Sequence, residues 1–344
     1  MNFFKDINSF QPIEFTSQWK APSNIAFVKY WGKLENQIPA NPSLSMTLRE
    51  CHTITKTNFS PSDRLNVELF LDGKENKSFS RKVLTYLEIL IPILPFLSKL
   101  NLKIETQNTF PHGTGIASSA SGMAALALTL TDYFYHLASV SRSDQFFKDA
   151  SYLARLGSGS ACRSIYGGFA TWGGHISNEY ASPLAVHDNF LSLHDSILVI
   201  NSEEKKVSSR SGHGLMKEHF FAEHRYAQAN YNFDKCCVEL KGDRFEEIGH
   251  ILEAEALALH AMMMTSPSPY MLFHPNTIKA IQVIWQFRQD TQIPVFFTLD
   301  AGPNLHLIYP DSHKKNVMTF INSELTHLSE MVIFDRVGDG PSLC

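Results

Sequence analysis

With 344 residues, the chain is longer than one hydrophobic core usually supports, so two domains are expected. A composition of 44% hydrophobic and 19% charged residues excludes a disordered chain. The balance of 30 Lys+Arg against 34 Asp+Glu, a formal charge of -4, argues against a nucleic-acid partner and leaves room only for a local anion site.

In chain order, the opening MNFFKDINSFQPIEF carries charges inside its apolar part and does not read as a signal sequence. SNIAFVKYWG reads as a strand entering a turn at Gly32, and SLSMTL and HTITKTNF read as two paired strands, rich in Thr and alternating in polarity. VLTYLEILIPILPFL is the most apolar run, but Glu88, Pro92 and Pro95 interrupt it and it is too short to span a bilayer. A core helix followed by a break is expected there, and no membrane partner. NLKIETQNTF is a further strand; it leads through PHGTGIASSASG into MAALALTLTDYFYHLA, apolar nearly all round and so a buried helix. SDQFFKDASYLARLG reads as a second helix, with Ser143 or Asp144 as N-cap and Gly157 just past its end.

GGFATWGG is strand-like, and HDSILV begins a buried strand near which the domain change is placed, giving halves of 1–190 and 191–344. Beyond it, SGHGLMKEHFFAEHRYAQANYNFDKCCVELKG and DRFEEIGHILEAEALALHAMMM read as long helical segments, followed by the helical NTIKAIQVIWQFRQD. PVFFTLDAG, LHLIYP and EMVIFDRV are short strands. This irregular alternation points to an α+β fold of two domains sharing a cleft rather than to a repeating parallel sheet. Five cysteines with no metal-ligand spacing suggest a reducing compartment.

Five segments carry candidate chemistry. PHGTGIASSASG lies where a strand meets an apolar helix, so its amides and the positive helix end could cradle a phosphate. Gly113 and Gly115 would allow close approach, and Ser118 and Ser119 add hydroxyls; tight packing of a small-residue loop is the competing reading. ARLGSGSACRSIYGGF strips away bulk around Arg163, with Ser158 and Ser160 alternating with glycines. That pattern suits an anion gripped by a guanidinium, or else a helix C-cap with a surface ion pair. KYWGK places Lys29, Tyr30 and Lys33 around a turn, where charges are most often simply solvated. EKKVSSRSGH is another run of cations and hydroxyls. In FFTLDAGPN an apolar strand ends on Asp300, which is either a turn cap or a carboxylate put to use.

Taken together and in this order, APSNIAFVKYWGK, PHGTGIASSASG, ARLGSGSACRSIYGGF, KKVSSRSG and FFTLDAGPN resemble the motifs of the diphosphomevalonate decarboxylase family, within the GHMP kinase superfamily. The resemblance reaches from about residue 20 to residue 305, and departs from the family pattern at HGT (112–114) and at Pro42. It implies a two-domain GHMP-kinase-like α+β fold with the active site between domains. It also implies conversion of ATP and (R)-5-diphosphomevalonate into ADP, phosphate, carbon dioxide and isopentenyl diphosphate, in the cytoplasm, with Mg²⁺ carried on the nucleotide and a homodimer as the assembly. Carried over by residue, the catalytic groups are Asp300, Lys29 and Arg163. Substrate binding falls to Tyr30, Lys33, Ser158, Ser160, Ser209 and Arg210. The nucleotide falls to Gly113, Gly115, Ser118, Ser119, Lys205 and Lys206, with Ser119 a candidate for the metal. A kinase that stops at the phosphate ester, a decarboxylase acting on the monophosphate, and a non-catalytic metabolite sensor are the rival readings.

Overall fold

The protein is described from a computed structural model, covering residues 10–111, 116–203 and 209–344. Two sheets organise it. The first strand, β1 (Phe15–Val28), pairs antiparallel with β2 (Ser43–Pro61), a strand of 19 residues. β3 (Asn66–Leu71), β4 (Lys74–Glu75) and β5 (Leu100–Asn108) extend the sheet beyond β2, while β6 (Phe169–Gly173) pairs with β2 and with β7 (Ser177–Leu184). The second sheet has the order β11-β8-β10-β9, built from β8 (His194–Val199), β9 (Phe296–Thr298), β10 (Leu305–Tyr309) and β11 (Met331–Arg336). A short β12 (Ser342–Leu343) returns to the first sheet and pairs with Trp19 and Lys20 of β1.

Their alternation predicts that SLSMTL and HTITKTNF pair with each other, but they do not; both lie on β2, and both face β1. The register explains it. Asn24 sits opposite Thr47 while Pro22 sits opposite His52, so Leu48–Cys51 bulge out of the ladder. Proline has no N–H to give there, and a bulge beside it is the economical arrangement. The amides freed by the bulge are not left unpaired: the buried Asp335 carboxylate on β11 accepts from Arg49 and Glu50 on one oxygen and from Cys51 on the other, at 2.8–2.9 Å.

Helices cover the sheets. α1 (Lys77–Leu90), capped by Asn76, ends before Pro92 as the sequence suggests. α2 (Ser118–Leu137) is buried over most of its surface, and α3 (Asp144–Gly157) follows; Gly157 is its last residue and Ser158 the C-cap. Trp19, Phe59, Leu102, Ile104, Leu87, Tyr133 and Phe146 form the core between these helices and the first sheet. The segment read as one long helix after residue 210 is two: α4 (Ser209–Leu215) and α5 (Ala222–Glu239), separated around His219, whose ring accepts the Phe221 amide. α6 (Phe245–Met264), α7 (Pro275–Thr291) and α8 (Lys314–Phe320) complete the set.

β8, β9 and β10 of the second sheet are buried on both faces, while the edge strand β11 is partly exposed. Ile197 and Ile308 pack with Phe27, Met46 and Phe169 of the first sheet and with Phe233 and Leu252 of α5 and α6. Leu198, Leu305 and Leu307 pack on the other side with Ile281 and Ile284 of α7. The apolar cluster that joins both sheets makes the ends of β1 and β9 meet, and this is what positions the site. No helix among the described residues is long and apolar enough to cross a membrane. Because Asp335 satisfies three amides at the β2 bulge, Asp335→Ala is expected to cost about 3 kcal/mol, measurable as a lowered urea midpoint at unchanged m-value.

Candidate active site

β1 ends at Val28, and the next residue, Lys29, is turned inward and almost wholly buried. Its Nζ donates to Asp300 Oδ1 at 3.0 Å and to the Ala26 carbonyl at 2.7 Å. Asp300 follows β9 directly, so the ion pair joins the first sheet to the second. The main chain of Lys29 is held as firmly as its side chain: its N–H donates to Glu255 Oε2 at 2.9 Å, and its carbonyl accepts from Asn41 Nδ2 at 2.9 Å. Burial pulls the Lys29 ammonium below its ordinary pKa, Asp300 and Glu255 oppose that pull, and Arg163 adds to it. His260 on α6 contacts the Asp300 carbonyl at 3.1 Å while stacking on Phe273, so it supports the turn.

Arg163 is fully buried in a short 3₁₀ turn, Gly159–Ile165, that follows α3. Nε donates to Ser45 Oγ at 2.9 Å and Nη1 to Ser43 Oγ at 2.6 Å. Ser43 and Ser45 alternate on β2 and therefore share a face. Among the described residues Arg163 makes no ion pair with a carboxylate, yet Asp300 is near enough to raise its pKa against the lowering caused by burial. A guanidinium held on neutral hydroxyls keeps its charge for something else.

Tyr30 diverges from Lys29. Its ring lies against Trp172 at 4.8 Å and over Gly159, where a Cβ would come within 2.8 Å of it. Glycine between Ser158 and Ser160 is thus required for the close approach. The Tyr30 hydroxyl is buried without a hydrogen-bond partner among the described residues, and burial pushes its pKa up, so it stays a protonated donor. Ser158 caps α3, Ser160 lends its carbonyl to Asn24 at 3.3 Å, and Lys33 Nζ reaches Gln37 Oε1 at 3.4 Å.

Gly32 has φ +101°, and its amide donates to His213 Nδ1 at 3.0 Å. That imidazole packs against the rings of Tyr30 and Trp31 at 4.4 and 4.5 Å, tying α4 to the turn after β1. Burial, with the Lys33 charge second, pulls His213 down to about 3, so it is neutral across the physiological range.

Ser118 and Ser119 open α2, and the αL backbone of Ala117 precedes them; the first turn of the helix contains no acid. Gly113, Gly115, Lys205 and Lys206 lie outside the described residues, and Ser209 and Arg210 open α4. The structure thus brings together Lys29 and Asp300, with Arg163 within reach of both charges, and Tyr30 beside Ser158 and Ser160. Sequence reasoning missed Glu255, Ser43, Ser45 and His213. Glu255 had a readable signal, an acid inside the otherwise apolar EALALH stretch; the serines had only their alternation, and His213 had none.

An ion pair where two α+β sheets meet, a buried arginine beside it and a helix N-terminus without an acid define an enzyme for small anionic molecules of the kind found in the GHMP kinase superfamily. The comparisons narrow this. Residues 21–181 match the model of the diphosphomevalonate decarboxylase-like N-terminal domain, and residues 196–343 that of the mevalonate 5-diphosphate decarboxylase C-terminal domain. The chain belongs to the diphosphomevalonate decarboxylase family.

Similar proteins include the diphosphomevalonate decarboxylase of Candida albicans, 29% identical over 91% of this chain and 90% of its own. That of Bos taurus is 30% identical over 83% and 74%. Among solved structures, the mevalonate diphosphate decarboxylase of Staphylococcus aureus superposes with a TM-score of 0.86 at 29% identity, covering 96% of this chain and 98% of that one. The complex of MDDEF with MVAPP, AMPPCP and magnesium gives 0.85 at 31% identity, covering 96% and 99%.

The depressed pKa of His213 has a thermodynamic consequence. Between the unfolded value of about 6.5 and the folded value of about 3, the unfolded state binds more protons, so stability falls as pH falls through that window and is level above it. His213→Met removes this contribution. The urea midpoint of the wild type is expected to decline more steeply than that of the variant below about pH 6.5.

Proposed function

We propose that the chain catalyses the ATP-dependent decarboxylation of (R)-5-diphosphomevalonate to isopentenyl diphosphate, with ADP, phosphate and carbon dioxide as the other products. One observation supports the reading most: buried Lys29 paired with a partly exposed Asp300, and beside them the buried Arg163, which makes no ion pair among the described residues. The family supports it independently. So does the MDDEF complex with MVAPP, AMPPCP and magnesium.

The chemistry needs each group. A tertiary alcohol leaves poorly, so it is first phosphorylated. Asp300 orients that hydroxyl and accepts its proton as the oxygen takes the γ-phosphoryl group from ATP. Lys29 holds the carboxylate in place at 3.0 Å. The bond from the tertiary carbon to the new phosphate ester then breaks, its electron pair leaving with phosphate, and once Asp300 has passed its proton to water the regenerated carboxylate counters the positive charge developing on carbon. The carbon–carbon bond to the substrate carboxylate breaks next, and its electron pair becomes the new double bond as carbon dioxide leaves. Arg163, fixed by Ser43 and Ser45, aligns that carboxylate. The diphosphate tail is held remotely by Tyr30, Lys33, Ser158, Ser160, Ser209 and Arg210, so its binding energy serves the alignment at the other end. The Tyr30 hydroxyl, without a partner among the described residues, fits an anionic oxygen.

Nucleotide binding falls to Gly113, Gly115, Ser118, Ser119, Lys205 and Lys206. The positive end of α2, with no acid in its first turn, fits a phosphate chain. The metal is read as held chiefly through the nucleotide, with Ser119 as the candidate protein ligand. Mg²⁺ bound there supplies neutralisation of the charge that builds up during phosphoryl transfer. The reading carries with it a cytoplasmic homodimer, and halves of 1–190 and 191–344, a division favoured by the start of the second sheet at His194.

With ATP, Mg²⁺ and the substrate, phosphate and carbon dioxide are expected in equal amounts. Phosphate ester without carbon dioxide would indicate a kinase, and nucleotide binding without turnover a sensor. Asp300→Asn is expected to lower kcat roughly a thousandfold with ATP affinity little changed, as read by single-turnover assays and calorimetry.

A further inference from the structure

We propose that Glu255 is a positioning residue for Lys29, fixing the lysine's main chain and supplying a permanent counter-charge behind it. The inference rests on the assignment of Lys29 to the reaction, but on different atoms. Glu255 lies on α6 and is fully buried. Oε2 accepts the Lys29 N–H at 2.9 Å and Nη2 of Arg225; Oε1 accepts Nη1 of Arg225 at 3.1 Å and Nδ2 of Asn232 at 2.7 Å. Four donors thus surround one carboxylate. Arg225 and Asn232 are seven residues apart on α5, two turns on one face, so two helices of the second half converge on a single main-chain amide of the first sheet.

Stability alone does not account for this arrangement. A buried ion pair replaced by apolar side chains of similar volume often leaves a protein as stable or more so. The charge has a more specific use. Lys29 is faced by Asp300 from the turn after β9, by Glu255 from α6 and by Arg163 from the 3₁₀ turn; Asp195 on β8, bound to His306, also lies within range of its charge. Of these, Asp300 and Glu255 favour the ammonium, while burial and Arg163 oppose it. Asp300 loses its charge when it accepts the substrate proton. At that moment Glu255 still favours the ammonium beside a second cation. It takes no part in the proton transfer.

The test is the titration of Lys29 itself. Glu255→Gln is expected to move the alkaline limb of the kcat–pH profile to lower pH by about one unit. Asn232→Ala, which removes a hydrogen bond and no charge, is expected to leave the limb in place. Arg225→Met/Glu255→Gln leaves no buried ion unpaired and carries the test if the single variant does not fold; its shift is expected in the same direction and smaller. The same shift is expected in ligand-free protein, read from the ¹³Cε resonance of Lys29 in selectively labelled protein and assigned by its loss in Lys29→Arg. That measurement needs no turnover, so a shifted resonance in a protein that releases no carbon dioxide supports the role of Glu255 and counts against the reaction instead. An unmoved Lys29 midpoint in both charge-removing variants overturns the proposal, as does an equal shift in Asn232→Ala.

Discussion

An ammonium and a carboxylate 3.0 Å apart, one at the end of β1 and the other after β9, set the terms for the rest of the molecule. Lys29 is stripped of water and Asp300 only in part; taking the ammonium out of water costs several kcal/mol, which the attraction offsets only when the geometry is good and the remaining polar groups are satisfied. Every nearby feature serves that condition. The Ala26 carbonyl takes a second proton of the ammonium, Asn41 and Glu255 fix the lysine's main chain, and His260 supports the carbonyl of Asp300. The apolar cluster spanning both sheets keeps the two strand ends from drifting apart.

The site separates two ways of holding a cation. Lys29 is paired within the protein, whereas Arg163 rests on two serine hydroxyls that take hydrogen bonds without neutralising it. A paired charge gives rigidity; an unneutralised one gives affinity for an incoming anion. Tyr30 follows the same logic with a neutral group, its buried hydroxyl presented over the one residue, Gly159, small enough to permit the approach. Placing these groups on strand ends and a 3₁₀ turn, rather than on long loops, fixes their spacing.

Local patterning made much of this legible. Apolar periodicity located α2, α3, α6 and the strands of the second sheet, and the family motifs singled out Lys29, Arg163 and Asp300. What stayed hidden depends on partners far along the chain. Nothing local in SLSMTLRECHTITKTNF says that a bulge interrupts one strand, because the acid that stabilises the bulge is Asp335. Likewise the break between α4 and α5 comes from His219 capping the next turn, in a stretch whose composition favours continuous helix. Glu255 was visible as an oddity on an apolar helix, but its target amide lies 226 residues away.

The Asp335 clamp also bears on how the polypeptide emerges from the ribosome. Its acceptor oxygens follow the Arg49 amide by 286 residues. Translation at 5–20 residues per second separates the two by on the order of 15 to 60 s. For that interval the nascent first half carries three uncapped donors at the bend of its longest strand, beside apolar side chains still awaiting their cover. Final closure of that sheet therefore waits until Asp335 has been synthesised.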